Sequence, residues 1–147
     1  YSPLNQYTMS KFLSSGIASK FSYNLATLLL RLGLGAVMIA SHGWQELSKF
    51  SEMQDSFVNF MGMGSSASLT LSLIAEFFCG LLVVIGLFTR GALLLLIINM
   101  MVALTLAHNW RIFEDGQLPF VFLVGWAVVF LLGPGKISLD ALIFKRK

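Results

Sequence analysis

The sequence predicts an all-α polytopic membrane protein, a four-transmembrane-helix bundle with amphipathic interfacial helices. Three observations carry this. Mean hydropathy is +0.80. Charged residues make up only 12% of the 147-residue chain, about half the share found in soluble domains. Finally, four apolar stretches approach the roughly 20 residues needed to cross a bilayer as a helix.

The elements follow in order, within a single domain over 1–147. In residues 1–22, Met9, Phe12, Leu13, Gly16, Ile17 and Phe21 recur at helical spacing with Lys11 and Lys20 off that face, the pattern of a helix lying at the lipid surface, with a disordered tail as the alternative reading. No secretory signal is expected there, because the stretch has neither a continuous apolar core nor a small-residue cleavage site. The spans are expected at about 24–44, 67–88, 91–108 and 118–132, the last being short. Between the first two, Leu47, Phe50, Gln54, Phe57, Val58 and Met61 fall along one helical face, predicting a second interfacial helix ended by Gly62 and Gly64. Thr89 and Arg90 alone separate the second and third spans, so these should form a tight antiparallel hairpin. Gly133, Pro134 and Gly135 stop the fourth, and 136–147 form a basic tail.

The formal charge of +3 does not indicate a nucleic-acid partner, since the cations form no stripe and no binding motif surrounds them. They read instead as topology, with the lipid bilayer as the partner. Lys11, Lys20, Arg90, Lys136, Lys145, Arg146 and Lys147 fall on one side of a four-span arrangement, against Lys49 and Arg111 on the other. Both termini are therefore expected in the cytoplasm. The lone cysteine, Cys79, excludes an intramolecular disulfide and a CxxC redox pair.

Two ionisable residues lie within spans, Arg31 in the first and Glu76 in the second. A charge at the bilayer centre is costly unless paired or wet, so these are the first candidates for a reactive site. At about 1.5 Å rise per residue, Arg31 lies roughly 10 Å, Asn99 roughly 12 Å and Glu76 about 18 Å from the cytoplasmic boundary. The long arginine side chain could bridge that mismatch, giving an Arg31, Glu76 and Asn99 cluster. Such a cluster either moves a proton beside a bound molecule or merely fixes helix register. His42 and His108 are level near the outer ends of their helices, where two imidazoles could ligate a haem, hold a quinone carbonyl or simply meet interfacial water. Arg31, Leu34, Gly35, Met38 and His42 share one helical stripe. Trp44 and Trp110 near that end are either ring-stacking partners for a ligand or anchors in an interfacial aromatic belt. Glu46, four residues after His42, offers a second metal-type ligand without a third, and no metal is expected.

The segments LLRLGLGAVMIASHGWQEL, AEFFCGLLVVIGLFTRGALLLLIINM and LPFVFLVGWAVVFLLGPGKISLD together resemble the DoxX family of small four-helix membrane proteins, over residues from about 25 to 140. The resemblance rests on Arg31, the His42-Gly43-Trp44 ending, Glu76 with Gly80 and Gly86, the Thr89-Arg90 turn, and Gly133-Pro134-Gly135 followed by Ser138-Leu139-Asp140. It implies four spans in a bacterial inner membrane and a redox role linked to quinone. Joined to the polar residues above, that role would make Arg31 and Glu76 the reactive groups, with Asn99, His42, His108 and Trp44 around the ligand. Electrons would come from other membrane or redox subunits, because no flavin, nicotinamide or iron–sulfur motif is present. The alternative is a non-catalytic accessory or anchoring subunit of a larger membrane complex. A transporter ranks third, since no inverted repeat is visible.

Overall fold

A computed structural model describes residues 19–144, and every regular element among them is helical. The predicted N-terminal interfacial helix around Met9 to Ile17 and the final Lys145, Arg146 and Lys147 lie outside the described residues. The chain forms α1 (Lys20–Ser48), α3 (Ser65–Ile85), α4 (Thr89–Ala107) and α5 (Gln117–Leu132). Two short helices, α2 (Phe50–Met53) and α6 (Leu139–Ile143), complete the set.

Three helices, α1, α3 and α4, are long and apolar enough to cross a membrane, whereas the apolar α5 has 16 residues. At 1.5 Å per residue α5 extends about 24 Å, short of a hydrocarbon core of about 30 Å. It packs chiefly along α4 and also against α1, and α3 packs against both α1 and α4. Met38, Val83, Leu93, Leu96, Phe122 and Trp126 fill the centre. Large apolar side chains such as Leu29, Leu94, Val121 and Leu131 point outward, as they must where the surrounding solvent is lipid.

Each long helix contains a π-helical turn: Ile39–Gly43 in α1, Ile74–Cys79 in α3 and Ala103–Ala107 in α4. Such turns loosen the regular ladder, re-aim the side chains beside them and occur often at functional sites. Helix α1 meets α3 closely where two of these turns face each other. A Cβ on Gly43 would stand 2.9 Å from both the Cα and N of Phe77, so only glycine lets the backbones approach this far.

Two sequence expectations need correction. The hairpin between α3 and α4 does not turn at Thr89 and Arg90, which already belong to α4; it turns at Gly86, Leu87 and Phe88. Gly86 adopts φ +73°, and the amides of Leu87 and Gly86 donate to the carbonyls of Leu82 and Val83 at 2.9 and 3.2 Å. That is a helix C-cap a left-handed residue can form. The expected helix over Leu47 to Met61 is also absent as one element. Helix α2 spans four residues only, and beyond it Phe57, Val58 and Phe60 are drawn inward to line a cavity. Hydrogen bonds hold this irregular stretch: Phe60 N donates to Ser68 Oγ at 2.9 Å and Gly64 N to Asn59 Oδ1 at 2.9 Å.

Candidate functional site

Near the C-terminal end of α1, the π-turn at Ile39–Gly43 directs Glu46 towards α3, where Ser72 and Glu76 stand one turn apart on the facing side. Ser72 Oγ donates to Glu46 Oε1 at 3.0 Å and lies 3.4 Å from Glu76 Oε1. Asn99 from α4 donates to Glu76 Oε1 at 2.9 Å and reaches Ser72 Oγ at 3.5 Å. Four polar residues from three helices thus form one connected network. Glu46 is 7% and Glu76 5% exposed.

The network is under-supplied with donors. A hydroxyl gives one hydrogen and an amide two, and these serve the Oε1 atoms. Glu46 Oε2 and Glu76 Oε2 are both buried without a partner among the described residues. Both residues line a cavity of about 350 Å³. Beyond the two glutamates, Ser68, Ser72 and Asn99 its walls are apolar, with Phe57, Val58 and Phe60 from the irregular stretch, Leu71 from α3, and Ile98 and Val102 from α4. The π-turn of α4 contributes Ala103 and Ala107, whose small side chains keep that wall open. No lysine, arginine or histidine lines it among the described residues. An apolar chamber with a few convergent polar groups at one end is the usual form of a small-molecule site.

Arg31 is not part of this network, so the expected Arg31–Glu76 couple does not form. Its guanidinium donates from Nε to Val83 O at 2.8 Å and from Nη2 to Val84 O at 2.9 Å. Nη1 donates to Pro134 O at 2.6 Å and to Ile137 O at 2.9 Å. The reason is local. Helix α3 stops at Ile85, so its last carbonyls are not all taken up within the helix at the depth where Arg31 emerges, and Val83 O, which already accepts from Gly86 N, has a second lone pair to offer. The α3 acceptors, Val83 and Val84, are seven and eight residues beyond Glu76, about 10–12 Å along the helix. The guanidinium reaches them without stretching across the bundle, and it also ties the loop after α5 to the same helix end. Asp140 completes the junction, accepting from Phe88 N at 2.8 Å and Thr89 N at 2.9 Å at the start of α4.

The stripe of Arg31, Gly35 and Met38 does face the interior. His42 packs edge-on against Phe122, with ring centroids 5.9 Å apart, and does not line the cavity. His108 closes α4, its Nδ1 3.2 Å from Asp115 Oδ2. The His108 imidazole is the main reason the Asp115 carboxyl is held below its ordinary value, with Arg111 adding to it. Trp44 is 58% exposed on the outer surface and away from the cavity lining. Of the sequence-derived candidates, the structure brings Glu76 and Asn99 together and leaves Arg31, His42, His108 and Trp44 elsewhere. Sequence reasoning weighed Glu46 only as a metal partner of His42 and passed over Ser72. The available signal was the four-residue spacing that sets Ser72 one turn before Glu76 on the same face.

The DoxX family model matches residues 26–109. The chain belongs to the DoxX family. In this DoxX protein the matched stretch contains Arg31 and the four residues of the polar network, Glu46, Ser72, Glu76 and Asn99, and it ends before the loop that Arg31 anchors. No curated protein and no solved structure matches the chain.

Proposed function

We propose that this DoxX-type membrane protein is a quinone-linked redox subunit, and that the cavity between α1, α3 and α4 holds the quinone ring. The observation supporting this is the pair of buried carboxyl groups, Glu46 and Glu76, which line one largely apolar chamber and each keep an oxygen unpartnered among the described residues. The residues suit the group. Flat apolar walls from Phe57, Phe60, Ile98 and Val102 match a ring, and Glu46, Glu76 and Asn99 would face its oxygens. A bound quinone supplies two-electron chemistry coupled to protons. Glu46 and Glu76 hold and release those protons, because two carboxyls in low dielectric with no cation beside them exchange protons rather than keep two charges. Ser72 positions both carboxyls, and Asn99 orients Glu76. The electrons come from a partner subunit of the same membrane complex.

In this reading α5 is the fourth span, accommodated by local thinning of the bilayer, and the protein sits in a bacterial inner membrane. Lys20, Arg90 and Lys136 mark the cytoplasmic end and Lys49 and Arg111 the outer one. Arg31 is a structural junction with no role at the ligand. If the protein were instead a non-catalytic accessory subunit, the cavity would carry no quinone. The test is quinone content of the full chain purified from its own membrane in mild detergent, read by native mass spectrometry. A quinone-sized mass increment near one per chain, lost in both Glu76→Gln and Glu46→Gln while those variants stay folded, is expected. Quinone-free protein in stoichiometric association with other subunits, or increments unchanged in both variants, overturns the redox reading in favour of the accessory one.

A further inference from the structure

At the opposite end of the bundle from Glu46 lies a larger cavity, of about 920 Å³. Its lining brings together Lys20 at the start of α1, Arg90 in the first turn of α4 and Lys136 in the loop after α5. All three are exposed, and none forms an ion pair among the described residues. The one carboxylate in the lining, Asp140, is already committed to the Phe88 and Thr89 amides. The cations are also positioned rather than scattered. Asn24 donates through Nδ2 to Lys20 O at 2.7 Å and accepts through Oδ1 from Lys136 N at 2.7 Å. One side chain thus ties together the backbones that carry two of the three charges. Tyr23 fixes the same loop through a hydrogen bond from its hydroxyl to Leu132 O.

The other half of the cavity is apolar and continues onto the outer surface. Phe88 is 62% and Phe144 56% exposed, and their rings meet edge to face at 6.1 Å. Leu132 extends the same wall along α5. Thr89, whose hydroxyl is buried without a partner among the described residues, lines the cavity beside Arg90. Three positive charges against a single carboxylate, Asp140, leave the lining net positive among the described residues, and above an apolar wall at a membrane-facing helix end they match an amphiphile with a negative head. Basic pockets between helices at one membrane face are general receptors for anionic headgroups. A free phosphate would satisfy the cations but leave Phe88 and Phe144 unused.

We propose that this cavity binds an anionic phospholipid, its phosphate held among Lys20, Arg90 and Lys136 and its acyl chains laid against Phe88 and Phe144. The site is independent of the quinone cavity and of its redox reading. The test titrates the full chain in mild detergent with phosphatidylglycerol or phosphatidylcholine of matched acyl length, read by native mass spectrometry. Phosphatidylglycerol should bind more tightly, and its affinity should fall roughly fivefold for each cation neutralised to glutamine, on the order of a hundredfold in the Lys20→Gln, Arg90→Gln, Lys136→Gln triple variant. The control pair Lys49→Gln, Arg111→Gln should bind as wild type does. Added salt should weaken phosphatidylglycerol binding to the wild-type chain, a readout that needs no variant to fold. Equal affinity for the two lipids, an unaffected triple variant or salt-independent binding overturns the proposal. Displacement of the lipid by millimolar inorganic phosphate also overturns it, by giving the cations to a soluble anion.

Discussion

Arg31 and the Glu46–Glu76 pair are both buried ionisable groups in apolar helices, yet their surroundings differ in kind. Arg31 has four main-chain carbonyls at hydrogen-bond distance, from a helix end and the loop packed on it. The two glutamates are served by one serine and one asparagine, both residues line a cavity, and each keeps a buried oxygen unpartnered among the described residues. A buried charge that the fold satisfies holds the fold together. One that the fold leaves under-satisfied, beside open space, is positioned for something that comes and goes. By this criterion the arginine is architecture and the glutamates are the site.

Arg31→Met offers the sharpest break of that contrast. It strips donors from the Val83, Val84, Pro134 and Ile137 carbonyls, and the expected loss is about 3–5 kcal/mol, as when one partner of a buried ionic network is removed. Arg31→Lys should recover little, because an ammonium on a flexible stem cannot span four acceptors as the planar fork does. Unfolding in mixed detergent micelles measures both, and stability close to wild type in Arg31→Met would show that the junction is dispensable. Next in size is Gly43→Ala. Its Cβ would stand 2.9 Å from the Phe77 backbone, so α1 and α3 must separate, at about 1–3 kcal/mol. The same substitution at Gly33, where nothing lies within 4 Å, should leave stability unchanged or raise it by up to about 1 kcal/mol through helix propensity. Equal melting behaviour of the two variants would contradict the close approach that aims Glu46 at Ser72.

Glu76→Gln should change stability by less than about 1 kcal/mol, since it replaces a poorly satisfied carboxyl by an isosteric neutral amide, while abolishing retention of the cavity ligand. A large stability loss with ligand retained would reverse the assignment of roles. The smallest effect belongs to Asp115→Asn. With His108 lowering the folded-state value of Asp115 beneath its ordinary 3.8, the carboxylate adds stability above the ordinary range, and that contribution disappears as pH falls through the folded value. A slight difference in melting temperature between wild type and variant at neutral pH, vanishing in acid, is expected. A difference that grew on acidification would carry the wrong sign.

Much of the helical layout was legible because hydropathy reports span position directly: the expected 67–88 and 118–132 lie within a few residues of Ser65–Ile85 and Gln117–Leu132. Glu76 and Asn99 were legible as polar exceptions in apolar helices. Their partners were not. Depth arithmetic treated each helix as regular, whereas the π-turns in α1 and α3 re-aim Glu46 and Glu76 locally, and no periodicity rule announces a π-turn. Charge pairing was misleading for a related reason. It joins Arg31 to Glu76, the other ionisable residue inside an apolar segment, but ignores the freed carbonyls of a helix end, which become visible only once Gly86 is seen to stop α3. The irregular stretch carrying Phe57 and Phe60 looked amphipathic, and only packing against Ser68 shows that these aromatics turn inward.

The most direct test of the central claim is infrared difference spectroscopy of the full-length protein in lipid, recorded on adding a short-chain quinone analogue. If Glu46 and Glu76 face the ligand, binding should perturb a carboxyl C=O band, and that signal should lose intensity in Glu76→Gln and again in Glu46→Gln. An absent carboxyl signal, or one that persists unchanged in both variants, would contradict a quinone held at this pair.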